Sequence, residues 1–184
     1  MATVCGCPVL AEACFKVRNH KFHAMKFIAD RMLGKLAKEL RMLGYDAVYY
    51  RGEDAYSLIK LAREEGRVIL TRSTQLTPKR PEDRIVRIVE DKASSQLKEL
   101  IRANVIRLDE ETPFSRCLGC NMLLHEIPRD EAEGKVPDFI FYQQKEFFRC
   151  PLCSRIYWQG SHQDHMKKRI EELFGKPALS GFPR

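Results

Sequence analysis

Apolar positions along the chain change period several times from Met25 onward, and each change marks an element. Lys26–Ala29 is a short apolar run that reads as a strand. Leu33, Leu36, Leu40 and Leu43 then recur at helical spacing, which predicts a helix over Arg31–Leu43 that Gly44 stops. Asp46–Tyr50 reads as a second strand. Leu58, Leu61 and Ala62 share one face of a second helix over Ala55–Glu65, closed by Gly66. Arg67–Leu70 and Arg84–Val89 follow as strands, then a helix over Ser95–Ala103 and a further strand over Val105–Leu108. Such alternation predicts an α/β fold, a mainly parallel sheet with covering helices.

The pattern breaks at the polar run Leu108-Asp-Glu-Glu-Thr-Pro-Phe114, which places a domain boundary between 25–113 and 114–184. Beyond it, Phe139–Tyr142, Phe147–Arg149 and Ile156–Trp158 read as short strands, and Asp164–Phe174 as an amphipathic helix. Residues 1–24 have neither period and read as an N-terminal extension, with Met25 as a candidate start. The alternative for that segment is a small metal-binding arm using Cys5, Cys7, Cys14, His20 and His23.

Composition narrows the class. With 44% hydrophobic and 9% aromatic residues the chain can build an ordinary core, which argues against a disordered polyelectrolyte. No apolar run approaches the roughly 18 residues of a membrane span. Lys and Arg outnumber Asp and Glu by 32 to 25, but the excess is spread along the chain. An anionic partner would therefore need a folded surface that sorts the charges. The seven cysteines include two Cys-x-x-Cys pairs and leave an odd total, unlike a secreted disulfide framework. No signal-peptide pattern opens the sequence, so a reducing cytoplasm is the expected setting.

Cys117-x2-Cys120 and Cys150-x2-Cys153 each offer a knuckle with two thiolates. Brought together they make a tetrahedral sulfur site, which suits structural Zn²⁺. Reactive thiols, disulfides or an iron–sulfur cluster are the competing readings, though clusters usually use other spacings. Asn121 and Ser154, just after the knuckles, are small polar residues suited to such turns. His162-x2-His165 follows, and His162 reads as a replacement metal ligand, a substrate contact or a catalytic acid, or simply as a polar residue fixing the turn before the last helix.

In a parallel sheet, ligands collect outside the carboxyl ends of the strands. Those ends carry Asp30, then Glu53 and Asp54, then Ser73, then Glu90 and Asp91. Clustered carboxylates repel unless a divalent cation such as Mg²⁺ or Mn²⁺ offsets them, and such an ion can activate water against a phosphodiester. Asp is also a favoured helix N-cap, which is the competing reading for Asp30 and Asp54. Arg31, Lys35, Lys38 and Arg41 form a basic stripe beside Asp30, with Arg72 at another strand end. They could hold a phosphate backbone, or be a solvated helix face.

The run Phe27-Ile-Ala-Asp30-Arg-Met-Leu-Gly-Lys-Leu-Ala-Lys-Glu-Leu-Arg-Met-Leu-Gly44 resembles the opening of the Mut-seven C-terminal ribonuclease domain. Leu61-Ala-Arg-Glu-Glu-Gly-Arg-Val-Ile-Leu-Thr-Arg72 resembles its central block. Ser115-Arg-Cys-Leu-Gly-Cys-Asn121 and Phe148-Arg-Cys-Pro-Leu-Cys-Ser-Arg-Ile-Tyr-Trp-Gln-Gly-Ser-His162 resemble its zinc ribbon. The resemblance runs from Met25 to about Phe174. It implies a PIN-like α/β domain, a C-terminal zinc ribbon and metal-dependent hydrolysis of RNA. Asp30 matches the family's first acid, and Asp54 is the best match for the second. One position departs: the family continues Leu-Thr-Arg with Asp, where this chain has Ser73. A neutral oxygen there should weaken metal binding, unless Asp91 or Glu90 compensates. The resemblance therefore carries two expectations, a metal-dependent ribonuclease or an RNA-binding or partner-docking module that has lost activity.

Overall fold

β1 (Lys26–Ala29) is an apolar run without polar alternation because both of its faces are covered. Phe27 and Ala29 point to one side of the sheet and Ile28 to the other, each fully buried. The computed structural model describes residues 25–107 and 113–175. The 1–24 arm and its Cys and His residues lie outside them.

After β1, a 3-10 turn over Arg31–Leu33 leads into α1 (Gly34–Met42). The expected single helix is thus split at its start. Asp30 caps the 3-10 turn by accepting from the Met32 N–H, and Gly34 lies under the Tyr49 ring, where a β-carbon would come within 3.0 Å of Cζ. The other elements are β2 (Asp46–Tyr49), α2 (Ala55–Glu64), β3 (Arg67–Thr71), β4 (Ile85–Arg87) and α3 (Ala93–Arg102). All strand pairs in this sheet are parallel, in the order β2-β1-β3-β4. Helices α1 and α3 pack on the Phe27 face and α2 on the Ile28 face, through Leu58, Ile59 and Ala62. The α/β fold expected from the alternation is the one observed.

The second part is a small antiparallel sheet of β5 (His125–Ile127), β6 (Phe147–Arg149) and β7 (Ile156–Trp158), ordered β5-β6-β7. α4 (Asp138–Gln143) lies between β5 and β6, and α5 (Ser161–Phe174) closes the described chain. Two expectations are corrected. Phe139–Tyr142, read as a strand, is helical, with Ile140 and Phe141 packed on the Phe147 cluster. Described residues 105–107, the start of the expected fifth strand, are not strand; Ile106 enters the main core from irregular backbone.

The two parts are tightly joined. Phe114 and Ile170 belong to the core of the parallel sheet, and the Phe114 N–H donates to Met42 O at 2.8 Å. Among the described residues no helix is long and apolar enough to cross a membrane.

A four-cysteine centre and an acidic strand edge

Each Cys-x-x-Cys turn is built alike. The Asn121 N–H donates to Cys117 O at 2.9 Å and the Ser154 N–H to Cys150 O at 3.0 Å. Both residues hold positive φ, 67° and 56°, which short polar side chains tolerate best among non-glycines. The turns put the four cysteine sulfurs within 4.8 Å of one another. Cys117 and Cys153 Sγ are 3.6 Å apart, far beyond a disulfide bond. The spacing matches the edge of a sulfur tetrahedron around zinc, about 3.8 Å for Zn–S bonds near 2.3 Å.

Charge makes the same point. Burial would push the Cys117 thiol up, but the Tyr157 hydroxyl and the N–H groups of Cys120 and Gly119 outweigh it and hold it at about 6. Contact with Cys153, then burial and the Cys117 charge, push Cys120 up to about 12. Crowded thiols therefore resist joint ionisation unless a cation offsets them. These four residues could hold a metal ion such as zinc.

At the other site, the sheet order reverses between β1 and β3, so the crevice beyond their carboxyl ends is the switch point of the fold. Asp30 sits there, 9% exposed. Its Oδ1 accepts from the Met32 N–H at 2.9 Å. Its Oδ2 accepts from the Thr71 hydroxyl and, at 3.3 Å, from the Arg72 N–H. Thr71 Oγ1 in turn accepts from the Ser73 N–H at 3.0 Å. A buried hydroxyl thus links Asp30 to the backbone at position 73.

The remaining candidates are placed differently. Asp54 caps α2, its two oxygens accepting from Tyr56 N–H at 3.1 Å and Ser57 N–H at 2.7 Å. Bonds from Ser57 and Tyr56 hold its carboxyl below the usual range. Glu53 is paired with Arg31 at 2.7 Å, and Asp91, largely exposed, with Arg72 at 2.5 Å. The Ser73 side chain is exposed, and its Oγ accepts from the Gln75 N–H at 3.2 Å. Among the described residues, no three strand-end carboxylates bring their oxygens within 4.8 Å of one another.

The basic stripe is shorter than expected. Arg31, Lys35 and Lys38 are exposed, but Arg41 is 6% exposed. Its guanidinium donates to Ala47 O at 2.7 Å, Leu118 O at 2.8 Å and Gly119 O at 2.9 Å. Arg41 therefore ties the first knuckle to α1 and β2, and its expected contact with RNA is corrected. His162 falls in the first turn of α5, and its side chain lies outside the described residues.

The Mut7-C RNAse domain model matches residues 25–170. The chain belongs to the Mut7-C RNAse domain family. A human protein named exonuclease mut-7 homolog is 35% identical over 162 residues, covering 85% of this chain and 16% of that protein. The chain thus spans about one sixth of that relative's length. No solved structure matched. The family description and the relative's name support a nuclease-type function.

Within this Mut7-C domain, Thr71 is the site residue that pattern reading overlooked. The signal was present: a threonine ending the wholly buried strand Arg67–Thr71 needs a hydrogen-bond partner, and the partner is Asp30.

Proposed function

We propose that this chain is a metal-dependent ribonuclease that hydrolyses RNA phosphodiesters at the carboxyl edge of its parallel sheet. The observation that carries the reading is the Asp30 carboxylate, buried at the switch point and oriented by Thr71 and Arg72. Asp30 fits a Mg²⁺ or Mn²⁺ ion, which often takes only one or two carboxylates and completes its shell with water and substrate phosphate. When bound, the ion would activate water and offset the negative charge that develops on the phosphoryl oxygens. Asp91 and Asp54 are the candidates for supplementing Asp30, at the cost of an ion pair and a helix cap respectively.

Arg31, Lys35, Lys38 and Arg72 would hold the phosphate backbone, with His162 as a further contact. Residues 25–113 would carry the reaction and 114–184 the zinc ribbon, with zinc as a fixed structural ion in a reducing, cytoplasmic setting.

A second reading has its own support. Ser73 stands where the resemblance implies an Asp, and Asp54 is engaged as a helix cap, each oxygen accepting from a backbone N–H. A chain so arranged would bind RNA or a partner without cutting.

A cleavage assay with Mn²⁺ on single-stranded and structured RNA tests both readings. Asp30→Asn should abolish cutting and Ser73→Asp should raise it. Equal cutting by Asp30→Asn would sink the metal-site proposal, and cutting by Ser73→Asp alone would favour the binding module.

A further inference from the structure

A cleft of about 570 Å³ opens on the ribbon beside the cysteine centre. Its lining is Leu118 from the first knuckle, Ser154 and Arg155 from the second, Ile156 and Tyr157 from β7, and Lys135 from the loop before α4. The volume lies in the range of small-molecule sites, roughly 300–1,000 Å³. Two of the lining side chains are cationic and none is acidic. Among the described residues neither cation has a carboxylate partner, whereas Arg149 on the same ribbon pairs with Glu131 at 2.7 Å.

Arg155 and Lys135 are also both positioned. A β-carbon on Gly119 would stand 2.7 Å from Arg155 Nη1, so the glycine leaves room for the guanidinium over the first knuckle. Lys135 Nζ donates to Glu131 O at 2.8 Å, which anchors it at the rim. A planar guanidinium and an ammonium select an oxyanion such as phosphate. Leu118, Ile156 and the Tyr157 ring offer an apolar wall that a bare phosphate would leave unused.

We propose that this cleft binds one nucleotide unit, its phosphate on Arg155 and Lys135 and its base or sugar against Leu118, Ile156 and Tyr157. The unit is either a free 5′-mononucleotide or one residue of an RNA chain. Only that second source rests on the ribonuclease reading. The site is separate from the Asp30 edge, so it would hold nucleotide without taking part in cutting.

Calorimetric titration of the metal-loaded full chain with AMP, UMP and inorganic phosphate tests the proposal. Both mononucleotides should bind, about tenfold more tightly than phosphate, and Arg155→Ala or Lys135→Ala should each weaken them by about tenfold. Gly119→Ala should weaken binding while keeping every charge, because it displaces only the end of a flexible side chain. Unchanged AMP binding in the double variant, or phosphate binding as tight as AMP, would overturn the site. So would loss of bound metal from Arg155→Ala, which would make the arginine a charge partner of the thiolates. A short oligouridylate titrated into the Asp30→Asn chain separates the sources. Weakening of oligouridylate and UMP alike by Arg155→Ala supports an RNA residue, and weakening of UMP alone supports a free nucleotide. AMP and UMP hold no phosphodiester to cut, so their binding stands or falls independently of nuclease activity.

Discussion

Asn121, at the end of the first cysteine knuckle, reads the edge of β2 with both ends of its amide. Its Nδ2 donates to Asp46 Oδ1 at 2.7 Å, while its Oδ1 accepts from the Ala47 N–H at 3.0 Å. Asp46 is also gripped by Arg67, at 2.5 Å. One side chain thus fixes the knuckle to the parallel sheet, and does so from a left-handed backbone position. Asn121→Gly keeps that backbone accessible and removes both bonds. Chemical denaturation should show a loss of about 1–2 kcal/mol with metal content unchanged.

The same junction should respond to acid. Burial would raise the Asp46 pKa, but hydrogen bonds from Arg67 and Asn121 and the nearby positive charges outweigh it and hold it below the usual carboxylate range. A depressed pKa contributes stability above the unfolded value, about 3.9, that is lost as pH falls through the folded one. Asp46→Asn should therefore destabilise the chain at pH 7 and lose much of that effect near pH 3. A penalty of constant size across that range would contradict the assignment.

Arg41 gives a contrast between anchoring and binding. Arg41→Ala strips the donor from three carbonyls and should cost about 3 kcal/mol, and Arg41→Lys should recover only part of it, lacking the guanidinium fork. Lys35→Ala and Lys38→Ala should leave stability nearly unchanged. In salt titrations of RNA binding, each should lower the slope by about 0.7, the share of the one phosphate that its ammonium neutralises.

This contrast also marks the limit of reading the chain by spacing. Arg31, Lys35, Lys38 and Arg41 recur at steps of four, three and three, which suggests one exposed stripe. Yet Leu33, Ala37 and Arg41 also follow one another at steps of four, and the first two are buried. Arg41 belongs to the second row, because the knuckle carbonyls that solvate it come from residues far along the chain. The central strands β1 and β3 were legible for the opposite reason: covered on both faces, they carry a mainly apolar local signal. Phe139–Tyr142 has a similar apolar run but forms a helix, since its packing against Phe147 is set by tertiary contact. The four cysteines were readable because two Cys-x-x-Cys pairs are a spacing that can gather four thiolates at one point, as the structure does. The acids were only half readable, since a cap and a ligand use the same residue at the same place.

Removing the metal should loosen the ribbon first. With a chelator, or with Cys150→Ser, the amides of Asn121 and Ser154 should lose hydrogen-exchange protection, because a metal ion on the four sulfurs would pin the two turns that these amides close. Metal analysis of the parent chain should find about one zinc. Retention of both turns without metal would argue that packing alone builds the ribbon.

Thr71 makes the sharpest test of the Asp30 edge. Its hydroxyl donates to Asp30 Oδ2 and accepts from the Ser73 N–H, so it fixes the carboxylate and the backbone at position 73 together. Thr71→Val keeps the shape and β-branching of the side chain but leaves both partners without their bond. Thr71→Ser keeps the hydroxyl and drops a methyl. If Asp30 acts as a ligand, Thr71→Val should lower cleavage by about tenfold or more through misplacement, and Thr71→Ser should stay near the parent. The same ordering should hold in the Ser73→Asp background, where a second acid would depend on the same backbone link. If Asp30 is only a cap for the Arg31–Leu33 turn, Thr71→Val should lower the melting temperature and leave the cleavage rate per folded molecule unchanged. Measuring both quantities on each variant separates a positioned ligand from a capped turn.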